Sequence, residues 1–240
     1  LYTVAAGGHG DYFGNEVVRQ DLRDDAPVWS IQHPGSDGDV VVDTNNAPGS
    51  GLIGDPSLAR YNDGLPASRH TYMGTVSIER HRRIVSTGGS ISKPGTAYQD
   101  LEAFDVDDTS GVTGWDAQYT YPGALNITGA TVMIAPSTVK DPRTEIIYVF
   151  AAGTLHTIAP DDGGGPGGTY AAITGMSWDT AYSHQEAACA VDITRGKILW
   201  THGYDLDSST EPYTFDIASG TLDARHAYSG TAAAALAAIP

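Results

Sequence analysis

Four runs of β-prone residues, each closing on small residues and mostly on glycine, recur along the chain. They are Leu1–Gly8 (LYTVAAGG), Arg83–Gly89 (RIVSTGG), Ile146–Gly153 (IIYVFAAG) and Lys197–Gly203 (KILWTHG). Their last glycines stand 81, 64 and 50 residues apart. A supersecondary unit repeated at such a period must stack on its neighbours to bury a continuous core. That requirement constrains the fold more than any single motif.

The flanks repeat as well. A strand-like segment and a charged turn precede each of the last three runs. These are Thr71–Ile78 with Glu79-Arg80-His81-Arg82, Ala130–Ala135 with Lys140-Asp141-Pro142-Arg143, and Ala187–Val191 with Asp192-Ile193-Thr194-Arg195-Gly196. A third strand ending near an aspartate follows three runs, in Asn15–Asp21, Asp100–Asp105 and Tyr213–Asp216. Trp29 and Trp115 then fall where a fourth strand belongs. Strand, charged turn, glycine-closed strand, aspartate-ended strand and Trp strand together make one four-stranded propeller blade. The glycines permit tight chain reversal, and the bulky aromatic residues are expected to fill the gaps between neighbouring blades.

Composition narrows the class of partner. The 240 residues hold 13 Lys and Arg against 29 Asp and Glu, a formal net charge of −16. Nucleic acid and anionic membrane surfaces need clustered basic residues, so both are disfavoured as partners. The longest apolar run, Ala232 to Ile239, is far short of the roughly 20 residues that cross a bilayer. A single cysteine cannot form an internal disulfide. The 29 glycines and 13 prolines suit turns between strands better than helices.

The pattern resembles the kelch repeat and the central domain of the galactose oxidase-like superfamily. Gly7-Gly8 with Asn15-Glu16-Val17 and Trp29 carry the resemblance first. Ser68-Arg69-His70-Thr71-Tyr72, Arg83-Ile84-Val85, Gly88-Gly89, Phe104-Asp105 and Trp115 carry it again. It implies an all-β propeller of four-stranded blades across residues 1–240. Blades are expected near 1–32, 68–121, 129–175 and 183–229, with an insertion at 33–64. The first blade lacks its innermost strand and the third departs from the pattern at its glycine-rich tract. Kelch-like rings have six or seven blades, so about four visible blades point to part of a larger ring. The alternative is a smaller ring closed by its own ends.

Three histidine-bearing loops are expected to converge on one face of such a ring. The first holds His9, Asp11, Tyr12 and Asn15, the second Arg69, His70 and Tyr72, and the third His184. Donors, acceptors and aromatic faces in this combination suit a polar ligand such as a glycan. No catalytic constellation stands out. The chain has no G-x-S-x-G, and Gly163 to Gly168 lacks the Lys-Ser/Thr of a phosphate loop. The copper–radical site of the oxidases needs a Tyr cross-linked to a Cys, whereas Cys189, in Ala187-Ala188-Cys189-Ala190-Val191, reads as a strand residue. No histidine pair has metal-ligand spacing, so no metal site is assigned. Calcium at Asp105/Asp107/Asp108, Asp205/Asp207 or Asp161/Asp162 is the weaker reading beside turn chemistry.

The expected function is a non-catalytic binding or interaction module for a glycan or protein partner, in an extracellular, periplasmic or virion-associated setting. Two alternatives stand beside it. One is a structural or receptor-binding component of an extracellular or viral tail or surface assembly, in contact with neighbouring subunits. The other is an enzyme whose site is completed by missing blades.

Overall fold

The computed structural model describes residues 2–4, 16–35, 65–66, 69–70, 74–91, 96–97, 100–108, 119–120, 137–151, 154–160, 169–173, 188–200 and 212–223. Within them the chain is all-β. Strands β1 (Tyr2–Val4), β2 (Val17–Gln20) and β3 (Trp29–His33) form a first antiparallel sheet in that order. After β4 (Arg69–His70) come β5 (Thr75–Ile78), a 3-10 turn at Glu79–His81, and β6 (Arg83–Ser86). Then follow β7 (Ser90–Ile91), β8 (Thr96–Ala97), β9 (Asp100–Asp105) and β10 (Tyr119–Thr120). The second sheet is β5-β6-β9-β10, and β4-β7-β8 form a small sheet of their own. Two uninterrupted meanders complete the described chain. The third sheet holds β11 (Ser137–Lys140), β12 (Ile147–Ala151), β13 (Thr154–Ala159) and β14 (Thr169–Ile173). The fourth holds β15 (Cys189–Asp192), β16 (Lys197–Trp200), β17 (Tyr213–Asp216) and β18 (Thr221–Leu222).

The sheets pack face on face in chain order. Successive strand residues point to opposite faces, and directly paired residues share a face. Tyr148, Phe150 and Leu155 of the third sheet therefore form one layer, and it packs against Ile198, Trp200, Tyr213 and Phe215 of the fourth. Phe150 and Trp200 meet with ring centroids 5.8 Å apart, and Tyr148 and Phe215 at 6.0 Å. Val17 of the first sheet packs on Ile84 and Phe104 of the second, and His33 stands edge-on to Phe104 at 6.2 Å. The opposite face of the second sheet, Ile78, Val85, Leu101 and Ala103, is fully buried, as are Ile147, Val149 and Ile158 of the third. Each such large side chain contributes about 1.5–3 kcal/mol by leaving water. The third sheet is buried on both faces along β12, which explains why its apolar residues run consecutively rather than alternating.

The small sheet prolongs the second one past a break. Thr75 pairs with Ser86, and beyond Gly74 His70 pairs with Ser90. Ser86 pairs with Glu102, and beyond the break Ser90 pairs with Ala97. Each flanking segment carries one residue more than the central one. The central segment makes its break at Gly88 and Gly89, which are buried with φ of 139° and 123°, a conformation closed to side-chain-bearing residues. Thr87 keeps the ladder intact up to that point, its N–H donating to the Gly74 carbonyl at 2.8 Å.

Several expectations need correction. The third sheet begins at Ser137, and Ala130–Ala135 lies outside the described residues. Its third strand, β13, follows the Ala152-Gly153 closure almost at once, so the glycine-rich tract connects the third and fourth strands. His33 belongs to β3, so the expected insertion starts after it. Trp29 opens β3 as expected but fills no gap between sheets, being 49% exposed. It lies on the outer face of the first sheet with Ile31, 69% exposed, while Leu199 on the outer face of the fourth is 38% exposed. The two end sheets do not cover one another, so the described sheets do not close into a small ring.

Candidate functional site

The first strands of the second, third and fourth sheets, β5, β11 and β15, lie side by side and run the same way. Hydrogen bonds at both ends define this arrangement. Where the strands begin, the Thr87 and Thr138 hydroxyls are bonded at 2.6 Å, and the Cys189 thiol donates to the Thr138 carbonyl at 3.2 Å. Where they end, the backbone N–H of Arg80 donates to Glu145 Oε1 at 3.1 Å, and Arg80 Nε lies 2.8 Å from Glu145 Oε2. Lys140 pairs with Glu79, and Arg143 Nη1 donates to the Ile193 carbonyl at 3.4 Å. The molecule thus has a turn end and a loop end.

The turn end is built from one repeated device. Asp21, Asp105, Asp141, Asp192 and Asp216 each close a strand and accept the backbone N–H of a residue two or three further on. Those donors are Arg23 (3.1 Å), Asp107 (2.8 Å), Arg143 (3.0 Å), Arg195 (3.0 Å) and Ser219 (2.8 Å). A short carboxylate substitutes for a backbone acceptor and fixes the turn, which is why aspartate recurs there. Each carboxylate also takes a cation. Asp21 holds Arg23, Asp141 holds Arg143, Asp192 holds Arg195, Asp105 holds Arg83, and Asp216 holds Lys197. Arg143 keeps Asp141 below the usual carboxylate range, Arg195 does so for Asp192, and the Ser219 N–H leads for Asp216. Lys197 also bonds Asp223 at 2.6 Å, which raises its ammonium. At Lys140 burial outweighs the charge of Glu145 and lowers the ammonium.

Asp105 and Asp107, offered as calcium ligands, are both engaged by arginine, Asp105 by Arg83 and Asp107 by Arg82 Nε at 2.6 Å. Asp161, Asp162, Asp205 and Asp207 lie outside the described residues. Among the described residues no three His, Cys, Asp or Glu side chains gather as a metal ion would need. Cys189 occupies β15 and packs against the core of the third and fourth sheets, and burial pushes its thiol up to about 12. A thiol held protonated is a poor nucleophile.

The loop end is where the histidine-bearing segments connect. Arg69 and His70 form β4, which leads into β5 at its loop end and pairs with β7 through Arg69–Ile91 and His70–Ser90. They stand on the small sheet and not on the strand that faces the neighbouring sheets. His9, Asp11, Tyr12, Asn15, Tyr72 and His184 lie outside the described residues. The segment bearing His184 returns to the loop end at Cys189, where β15 begins.

Sequence reasoning missed the buried polar residues. Glu102 is fully buried on the face of the second sheet that Phe104 shares, and His33 and His156 are 3% and 1% exposed. Polar residues alternating with apolar ones in β9 and β13 suggest one wet face. Stacking on both faces removes it, and the signal that could have revealed this was the blade repeat itself.

Glu145 tests whether the turn end helps to register the sheets. Its side chain is 9% exposed and its backbone is left-handed, with φ of 58°. Glu145→Gln should lower unfolding free energy by about 1–2 kcal/mol in urea titration, because the side chain loses the charge that faces the Arg80 guanidinium and strengthens the bond from the Arg80 backbone N–H. Arg195→Ala, which removes an exposed pair, should change it by no more than about 0.5 kcal/mol. Equal effects would show that burial plays no part at this junction. No family model matches the chain, and no match was found among curated proteins.

Proposed function

We propose that the chain is a kelch-like β-propeller segment of about four blades that serves as a non-catalytic binding module for a glycan or protein partner. Its binding face is the loop end, with His9, Asp11, Tyr12, Asn15, Arg69, His70, Tyr72 and His184 as the contact residues. The supporting observation is the asymmetry between the two ends. At one end aspartate-fixed turns are locked by ion pairs, with longer connections there only between β9 and β10 and between β13 and β14 among the described strands. At the other, β1 and β2, β3 and β4, and β14 and β15 are joined by long connections. Variable connections on a rigid stack of sheets are where binding residues concentrate. The acidic balance of the chain favours neutral or basic partners over anionic ones.

An array of neutral, sialylated and sulfated glycans tests this reading. Binding is expected among the neutral glycans and should fall at least tenfold in His70→Ala and His184→Ala, with unchanged unfolding midpoints. Binding unaffected by alanine at His9, His70 and His184 would remove these residues from the site.

A second reading, a component of an assembly, is favoured by where apolar surface remains. Among the described residues the exposed large apolar side chains are Leu22, Val28, Trp29 and Ile31 on the first sheet and its turn, and Ile193 and Leu199 on the fourth. The two middle sheets have none. Faces of this kind suit further sheets or neighbouring subunits. Light scattering should then report a mass above 25.1 kDa that Trp29→Glu lowers. A monomer with or without that substitution contradicts it.

A further inference from the structure

Among the described residues, the seam between the second and third sheets is apolar along most of its length and contains one buried ring that can take up a proton. Ile78, Val85, Leu101 and Ala103 line one side, and Ile147, Val149 and Ile158 the other, all at 0% exposure. His156 stands among the latter, 1% exposed, with Nδ1 lacking any hydrogen-bond partner.

Register fixes the direction in which the ring points. Thr138, Val149 and His156 form one row across the third sheet. The Thr138 hydroxyl bonds Thr87 of the second sheet, so His156 shares the face toward that sheet. Among the described residues the charged groups of the seam lie at its turn end. They are Arg83 with Asp105 on β6 and β9, Lys140 with Glu79 on β11, and Glu145 with Arg80 in the turn between β11 and β12. Val149, the direct partner of His156 on β12, is apolar. Burial is accordingly what holds the imidazole down, to about 4 against an ordinary 6.5.

We propose that His156 makes the junction of the second and third sheets acid-labile, its protonation separating two sheets that are tightly packed at neutral pH. The sign follows from the two states. Above pH 6.5 the ring is neutral both folded and unfolded, and the junction has its full stability. As pH falls from 6.5 toward 4 the exposed ring of the opened state takes up a proton that the buried ring refuses, and stability is lost. The turn carboxylates with lowered values lose their contribution only below their ordinary value of 3.8, so they do not account for a loss between pH 6.5 and 4. The device is independent of what the loop end binds.

Hydrogen exchange between pH 7 and 4.5 is the test, together with an NMR titration of the imidazole. Protection of 147–151 and 154–159 should fall across this range in the unmodified protein, and the ring should titrate near 4. His156→Leu should keep its pH 7 protection down to pH 4.5, and His156→Gln serves the same comparison if the leucine variant does not fold. A ring titrating near 6.5, or protection that falls equally in the variants, would overturn the proposal.

Discussion

The stack depends on the central strands of its middle sheets burying both of their faces. A strand in a one-sided sheet alternates apolar and polar residues, but a strand in the middle of a stack needs neither face wet. Phe150 on Trp200 and Val17 on Phe104 belong to two successive junctions, and Thr87 with Thr138 crosses the one between them. The magnitudes decide which contacts hold the stack. Several fully buried side chains at about 1.5–3 kcal/mol each outweigh exposed ion pairs worth about 0–1 kcal/mol. The rim pairs set which strand stands beside which, and the buried apolar layers, aromatic between the third and fourth sheets, hold the sheets together.

The stack separates stability from recognition. Five aspartates fix the turns at one end, and the arginines and lysines they hold account for much of the chain's small basic complement. With cations drawn into structural pairs there, the long connections of the other end carry acids with few bases among them. Extending the second sheet through β4, β7 and β8 raises the Arg69-His70 segment beyond the end of that sheet.

What was legible in the sequence was what local chemistry specifies. The aspartate closing β9 and β17, the charged turns after β5 and β15, and the apolar runs of β6, β12 and β16 carry their own signals, and the sequence locates each within a residue or two. What was illegible depended on neighbours. β11 carries no glycine or aromatic mark, and its bonds to Thr87 and Cys189 are what place it beside β5 and β15. β13 reads as half polar because His156 and Thr157 interrupt it, and the burial of His156 comes from the second sheet. Tryptophan at the position of Trp29 predicts a covered ring, yet among the described sheets the first stands at the end of the stack and leaves it exposed. The histidine-bearing loops were legible as residue types, while only Arg69 and His70 among them fall on described strands.

The central claim is that the second and third sheets meet through parallel first strands, and a cross-link tests it most directly. Thr87→Cys with Thr138→Cys, in a Cys189→Ser background, places two thiols where hydroxyl oxygens now stand 2.6 Å apart. The stacked arrangement predicts that mild oxidation joins them, with a mass loss of two hydrogens and a peptide pair bridging the two sheets. Two thiols that remain free and alkylate fully in the folded protein would contradict it.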